Sequence, residues 1–141
     1  MAEPAKVVNK RVSSGVAILF GDSILLCKRI ELYYGTKVPF GGYWSIFGGG
    51  MDKNETPKET AKRELFEESK INVDIKDIHF IKTLDQYNSI FHVHYYKSKE
   101  LLIPKLNFEH TQYGWYNIFS LDTFTEKLDK KLINLIIRHA Y

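Results

Sequence analysis

Two apolar runs open the chain, Val12 to Phe20 and Ile24 to Arg29, separated by the turn cluster Gly21-Asp22-Ser23, and this pattern predicts a β-hairpin. The next stretch, Ile30 to Tyr43, carries Tyr33, Tyr34, Gly35, Pro39, Gly41 and Gly42 without a period and reads as a loop long enough to be functional. A short apolar segment, Trp44 to Phe47, then runs into Gly48, Gly49 and Gly50. Thr56-Pro57-Lys58-Glu59 carries the signature of a helix start: a Thr cap, Pro at the first helical position and Glu at the third. The helix is predicted from about Pro57 to about Ser69. Ile78 to Leu84 and Ile90 to Lys97 read as strands, the second alternating Phe91, Val93 and Tyr95 against His92, His94 and Tyr96. Tyr113 to Ile118 supplies a further short strand. From Asp129 to His139, Leu132, Leu135, Ile136 and His139 recur at helical spacing, which predicts an amphipathic helix packed on the sheet. Strands interrupted by two helices make one layered α/β domain over residues 12–141, behind a polar lead-in over residues 1–11.

Composition narrows the partners. The chain has 141 residues, with 20 Lys+Arg against 17 Asp+Glu, a net charge of +3. The charges are interspersed rather than clustered, so no basic stripe announces stable nucleic-acid binding or a membrane surface. The segment Met1 to Arg11 lacks the apolar centre of a secretory signal, and no apolar run approaches the roughly 18–20 residues that a spanning helix needs. Cys27 is the single cysteine, so no intrachain disulfide forms; it reads as a small buried hydrophobe in an apolar strand. These features lead us to expect a soluble cytoplasmic protein. Only Arg11, Arg29, Arg63 and Arg138 can supply a two-pronged clamp on a carboxylate or phosphate.

The chemistry concentrates between Gly49 and Ile71. At about 100° per residue, Glu64, Glu67 and Glu68 share one helix face, while Ala61 and Leu65 form an apolar stripe that anchors the helix on the sheet. A like-charged pair about 5.5 Å apart costs on the order of 3 kcal/mol at an effective dielectric of 20, but under about 1 kcal/mol in bulk water. On an exposed face the carboxylates are simply solvated, with Lys58, Lys62 and Lys70 as counter-charge. Lining a cleft, they call for a hard divalent cation, Mg²⁺ or Mn²⁺.

The spacing upstream favours the cleft. Gly49, Glu55, Arg63, Glu64, Leu65, Glu67, Glu68 and Ile71 match eight of the nine defined positions of the box that marks the Nudix hydrolases. Lys70 stands where that box ends in glycine. From average composition such a match arises by chance on the order of 10⁻⁸ times per starting point. Trp44-Ser45-Ile46-Phe47-Gly48-Gly49 resembles the lead-in of many members, with Phe47 in place of proline, and Lys28-Arg29, Glu109 and Trp115 resemble further family features. The resemblance spans roughly residues 12–137. It implies an α/β/α sandwich with a mixed central β-sheet and a Mg²⁺- or Mn²⁺-dependent pyrophosphohydrolase. Glu64, Glu67 and Glu68 are then metal-binding and catalytic carboxylates, the Gly48 carbonyl a further metal ligand, and Glu109 an additional acidic residue acting as ligand or base. Gly49, Glu55 and Arg63 are implied as structural members of the box, Glu55 and Arg63 tying loop to helix. At Lys70, either the helix ends there in a strained left-handed conformation, or it runs on and Asn72 provides the stop.

The implied substrate is a nucleotide polyphosphate small molecule: a nucleoside triphosphate or dinucleoside polyphosphate, with ADP-ribose or a nucleotide sugar, or a catalytically silent nucleotide-binding domain, as alternatives. Tyr87, 16 residues past the box, resembles the downstream tyrosine of diadenosine polyphosphate hydrolases, against an ordinary turn tyrosine in Gln86-Tyr87-Asn88-Ser89. Arg29 and Lys28 are candidate phosphate contacts or exposed strand-end residues. Aromatics between Tyr33 and Tyr43 either stack a nucleobase or pack the loop. His92 and His94 share a strand face, but two imidazoles without further ligands nearby are a weak basis for zinc. Trp44 and Trp115 read as core anchors. The general base is open among Glu64, Glu67 and Glu109, and the resemblance leaves a homodimer open.

Overall fold

In the computed structural model, which describes residues 10–141, the apolar runs form a mixed seven-stranded sheet between two helices, and most of the expected lead-in lies outside the described residues. Strands β1 (Arg11–Phe20) and β2 (Ser23–Arg29) make the expected hairpin across the turn at Gly21. They stay paired only at Leu19–Ile24 and Phe20–Ser23. Farther back, β1 pairs instead with β6 (Phe47–Gly50), while β2 diverges to pair with β5 (Trp44–Ser45) and β9 (His110–Asn117). The loop before β5 folds part of itself into a small hairpin, β3 (Leu32–Tyr33) with β4 (Thr36–Lys37). On its other side β1 runs parallel to β8 (Ser89–Lys97), which pairs antiparallel with β7 (His79–Asp85).

Strand alternation distributes the core between two layers. Ala17, Leu19, Ile24 and Leu26 point to one face and join Trp44, Val93 and the C-terminal helix α2 (Lys130–Ala140). Val16, Ile18, Leu25 and Cys27 point to the other and pack with Phe47, Ile78 and the buried Ala61 and Leu65 of α1 (Pro57–Ser69). Both tryptophans serve as core anchors: Trp44 is buried, and the Trp115 indole donates to the Leu102 carbonyl at 2.8 Å. In α2 the buried set is Leu132, Ile133, Ile136 and Ala140, while His139 lies exposed. The buried stripe is therefore rotated toward Ile133, whose aliphatic side chain has more to gain from burial than an imidazole. No helix among the described residues is long and apolar enough to cross a membrane.

Candidate active site

Local sequence fixes α1 as predicted. The Thr56 hydroxyl accepts the Glu59 backbone N–H at 3.2 Å and the Glu59 carboxylate accepts the Thr56 N–H at 3.0 Å, a complete capping box. The helix ends at Lys70, which takes a left-handed conformation at φ 62° and donates its N–H to the Phe66 carbonyl at 2.8 Å. Of the two routes open at that position, the strained one is adopted.

With the apolar stripe against the sheet, the carboxylate face meets the fork where β6 and β2 separate. Glu68 is completely buried there. One carboxylate oxygen accepts the Gly48 N–H at 2.9 Å, and the other lies 2.7 Å from Nε2 of His110 at the start of β9. A strand residue sends its N–H and C=O to the same edge, so the Gly48 carbonyl also projects from β6 away from β1. Glu64 lies against Gly49 so closely that a Cβ at Gly49 would fall 2.5 Å from its carboxyl carbon, so a larger residue there would displace the Glu64 carboxylate. Glu67 is the most open of the three, with its side chain half-exposed.

Arg63 gathers the loop and the free ends of this face. Its Nε and Nη2 hold both oxygens of Glu55 at 2.7 and 2.9 Å, and Nη2 also donates to the Gly50 carbonyl at 3.0 Å. Its Nη1 reaches Glu64 at 2.9 Å and Glu67 at 3.2 Å. The guanidinium holds the Glu55 carboxyl at about 2. Burial, then repulsion from Glu68, pushes Glu64 up to about 7. Burial, then repulsion from Glu109, pushes Glu68 up to about 9, and burial takes its partner His110 down to about 4. Burial thus disfavours the charged form of both Glu68 and His110, which share one hydrogen bond.

These shifts describe an acidic cluster built around one fully buried carboxylate, Glu68. Its donors are hard oxygens on Glu64, Glu67, Glu68 and Glu109, the chemistry that suits Mg²⁺ or Mn²⁺. As they stand, no three His, Cys, Asp or Glu side chains among the described residues converge tightly enough to hold an ion. Arg63 and His110 instead engage the oxygens that a cation would share. The residues fit a hard divalent ion in kind, as oxygen donors gathered on one helix face and its neighbouring loop.

Strand parity separates the other candidates. Arg29 follows Cys27 and faces α1, where its charge acts on Glu68 and His110. Lys28 follows Leu26 onto the opposite face and pairs with Glu126 at 3.1 Å. Tyr87 is exposed at the tip of the β7–β8 turn, and no hydrogen bond, ion pair or ring contact among the described residues joins it to the carboxylates. His92 and His94 do share a face but have separate partners, Thr83 Oγ1 at 2.8 Å and the Gly15 carbonyl at 3.1 Å. Sequence reasoning missed His110, because strand β9 starts three residues ahead of the apolar segment that predicted it. The only signal was its place beside Glu109. Phe47, standing where relatives of this motif carry proline, packs edge-on to the His110 ring with centroids 5.3 Å apart.

Known proteins share this framework. The NUDIX domain profile matches residues 9–136. A MutT protein from Methanosarcina mazei Go1 superposes with a TM-score of 0.70 at 21% identity, over 94% of this chain and 94% of that one. The NUDIX domain of Shewanella oneidensis NrtR, solved with ADP ribose, gives 0.74 at 16% identity, over 99% and 94%. A bifunctional NMN adenylyltransferase/ADP ribose pyrophosphatase from Francisella tularensis, solved with AMP and a Mn ion, gives 0.70 at 19% identity over 97% of this chain, which spans 44% of that longer one. No curated protein matches significantly in sequence. The profile covers nearly the whole chain, and Arg63 ties the box residues Glu55, Glu64 and Glu67 together beside the buried Glu68, so the protein belongs to the Nudix hydrolase family.

Proposed function

We propose that the protein hydrolyses a P–O–P linkage in a nucleoside diphosphate derivative with the help of Mg²⁺ or Mn²⁺. The observation that supports this reading most is Glu68, a completely buried carboxylate flanked by Glu64 and Glu109 on the α1 face of the fork. Glu64, Glu67, Glu68 and Glu109 would hold the ion, with the Gly48 carbonyl as a further donor. Bound there, a divalent cation offsets phosphate charge, makes water more acidic and stabilises the departing phosphate. The Gly48 N–H and His110 hold the Glu68 carboxylate in place. Arg63 fixes the loop that carries Gly49 and Gly50, and Arg29 contacts a phosphoryl oxygen on the same face. The proton of the attacking water passes to Glu64, Glu67 or Glu109.

Glu68→Gln is expected to remove nearly all turnover while the far-ultraviolet circular dichroism and melting curve still report a folded chain. Products are to be identified from nucleoside triphosphates, ADP-ribose, sugar nucleotides and dinucleoside polyphosphates with and without Mg²⁺. Undiminished turnover in the variant overturns the assignment of Glu68. Full activity in a chelator overturns the metal.

A further inference from the structure

Helix α1 meets the sheet through two kinds of contact. Along its middle, Ala61 and Leu65 share one cluster with Val16, Ile18 and Leu25, and apolar packing of this kind has no preferred direction. Toward each end a polar group crosses the same boundary. Near the C-terminal end Glu68 accepts the Gly48 N–H of β6 at 2.9 Å. Beneath the first turn the Ser14 hydroxyl of β1, wholly buried, donates to the Pro57 carbonyl at 2.7 Å, with the His92 carbonyl as a second acceptor at 3.3 Å.

His94 of β8 braces this contact. It is buried, and its Nδ1 lies 3.1 Å from the Gly15 carbonyl and 3.4 Å from Ser14 Oγ. A carbonyl can only accept, so Nδ1 carries the proton and donates. Burial holds the His94 imidazole below its ordinary pKa, so the ring stays neutral near pH 7. Gly15 and Ser14 are in turn the residues opposite Gly48 and Gly49 in the β1–β6 pair. No space is left there: a Cβ at Gly15 would fall 2.6 Å from the Phe47 carbonyl oxygen, and one at Gly48 2.8 Å from the Ser14 carbonyl oxygen. Strand β1 therefore touches β6 at the level of the backbone and α1 through a directional hydrogen bond, and neither neighbour can shift without disturbing it.

Buried polar side chains are not needed to hold a helix on a sheet, since apolar groups of the same shape do so about as well. What a directional contact adds is register, the role a single buried polar residue has in a coiled coil. A helix tied at both ends can neither slide nor roll. We infer that Ser14 and His94 are positioning residues for the carboxylates: they lock the first turn of α1 to β1, so that Glu64, Glu67 and Glu68 arrive beside Gly48 and Gly49 of β6. The bearing on catalysis rests on the hydrolase reading above, while the locking itself is a property of the metal-free chain. Both residues act through α1 and β6 rather than on the reacting atoms.

The test compares the full chain with Ser14→Ala, His94→Leu and His94→Asn by melting temperature, by exchange of the Gly48 amide proton in the metal-free protein, by calorimetric titration with Mn²⁺, and by kcat and KM. Ser14→Ala and His94→Leu are expected to stay folded while the Gly48 amide exchanges about 10-fold faster. Their Mn²⁺ affinity and kcat should each fall about 10- to 100-fold with KM nearly unchanged, the loss typical when a group supporting metal ligands is removed. His94→Asn, whose amide nitrogen can donate to the Gly15 carbonyl, should recover most of both. A lower melting temperature with Gly48 exchange and Mn²⁺ affinity unchanged overturns the inference, because Ser14 and His94 are then ordinary core polar groups. Ser14→Ala, which removes one oxygen and no apolar contact, decides the question if His94→Leu does not fold. If the unmodified chain binds no Mn²⁺ and turns over no nucleotide, the hydrolase reading fails, and Gly48 exchange still decides whether the helix is locked.

Discussion

Two basic residues of the box region carry opposite consequences for stability. Arg63 makes both of its fork bonds to Glu55 and a further one to the Gly50 carbonyl, so a lysine, with one point charge, cannot reproduce them. Arg63→Lys is expected to cost about 1–3 kcal/mol in denaturant unfolding, with the loss falling on the loop that carries Gly49. Lys70 sits at φ 62°, a conformation that penalises a side chain. Lys70→Gly should therefore raise stability by about 1 kcal/mol in the same measurement, the gain being trimmed by the freedom glycine adds to the unfolded chain. Helical spacing put Glu64, Glu67 and Glu68 on one face, and the resemblance to the Nudix box singled out Arg63. Neither could show that His110 would complete the surroundings of Glu68, because a contact between positions 42 residues apart has no local signature.

The elements differ in how far their limits were written locally. Helix α1 begins at a capping box that the sequence spells out, and Thr56→Ala is expected to lower the melting temperature in line with a loss of about 1 kcal/mol. Helix α2 was equally recognisable from its period, yet its buried stripe includes Ile133 rather than His139. Periodicity gives a helix its apolar side only to within a residue or so; the sheet beneath decides which neighbours are covered. Ile136, fully buried on that stripe, should cost about 2–5 kcal/mol when replaced by alanine, measured by urea unfolding. Strand β9 is the opposite case. Its first residues, His110 to Gln112, form a strand because Arg29 and Lys28 offer a partner edge, and their own composition says little.

For the whole molecule, the acidic cleft ties stability to pH and to cations. Glu68 and His110 together hold one proton in the folded chain between about pH 4 and 9, where the unfolded pair holds one only between its ordinary values near 4.5 and 6.5. The pair therefore favours folding most in that middle window and loses stability on either side. Glu64, raised to about 7, adds stability below pH 4.5 that is lost as pH rises through 7. Glu55, lowered to about 2, adds stability above pH 4.5 that is lost as pH falls toward 2. The metal-free protein should thus be most stable near about pH 5 and decline toward pH 9, as read from melting curves across that range. Millimolar Mg²⁺ or Mn²⁺ should offset the decline, because a cation held by the folded cluster stabilises it by mass action. An upward slope with pH in the metal-free protein would contradict the buried-carboxylate account. By itself the sequence determined the helix that presents Glu64, Glu67 and Glu68, its cap and the layered class, because each follows from short-range spacing and local hydrogen bonding; the clamp of Glu55 and Arg63 was legible only through the resemblance to the Nudix box. Only the tertiary structure decided that Arg29 and not Lys28 faces the carboxylates, that His110 meets Glu68, and that Ser14 meets Pro57. Those depend on which face of a strand points inward and where distant strands fall in register, and both are set by packing across the sheet.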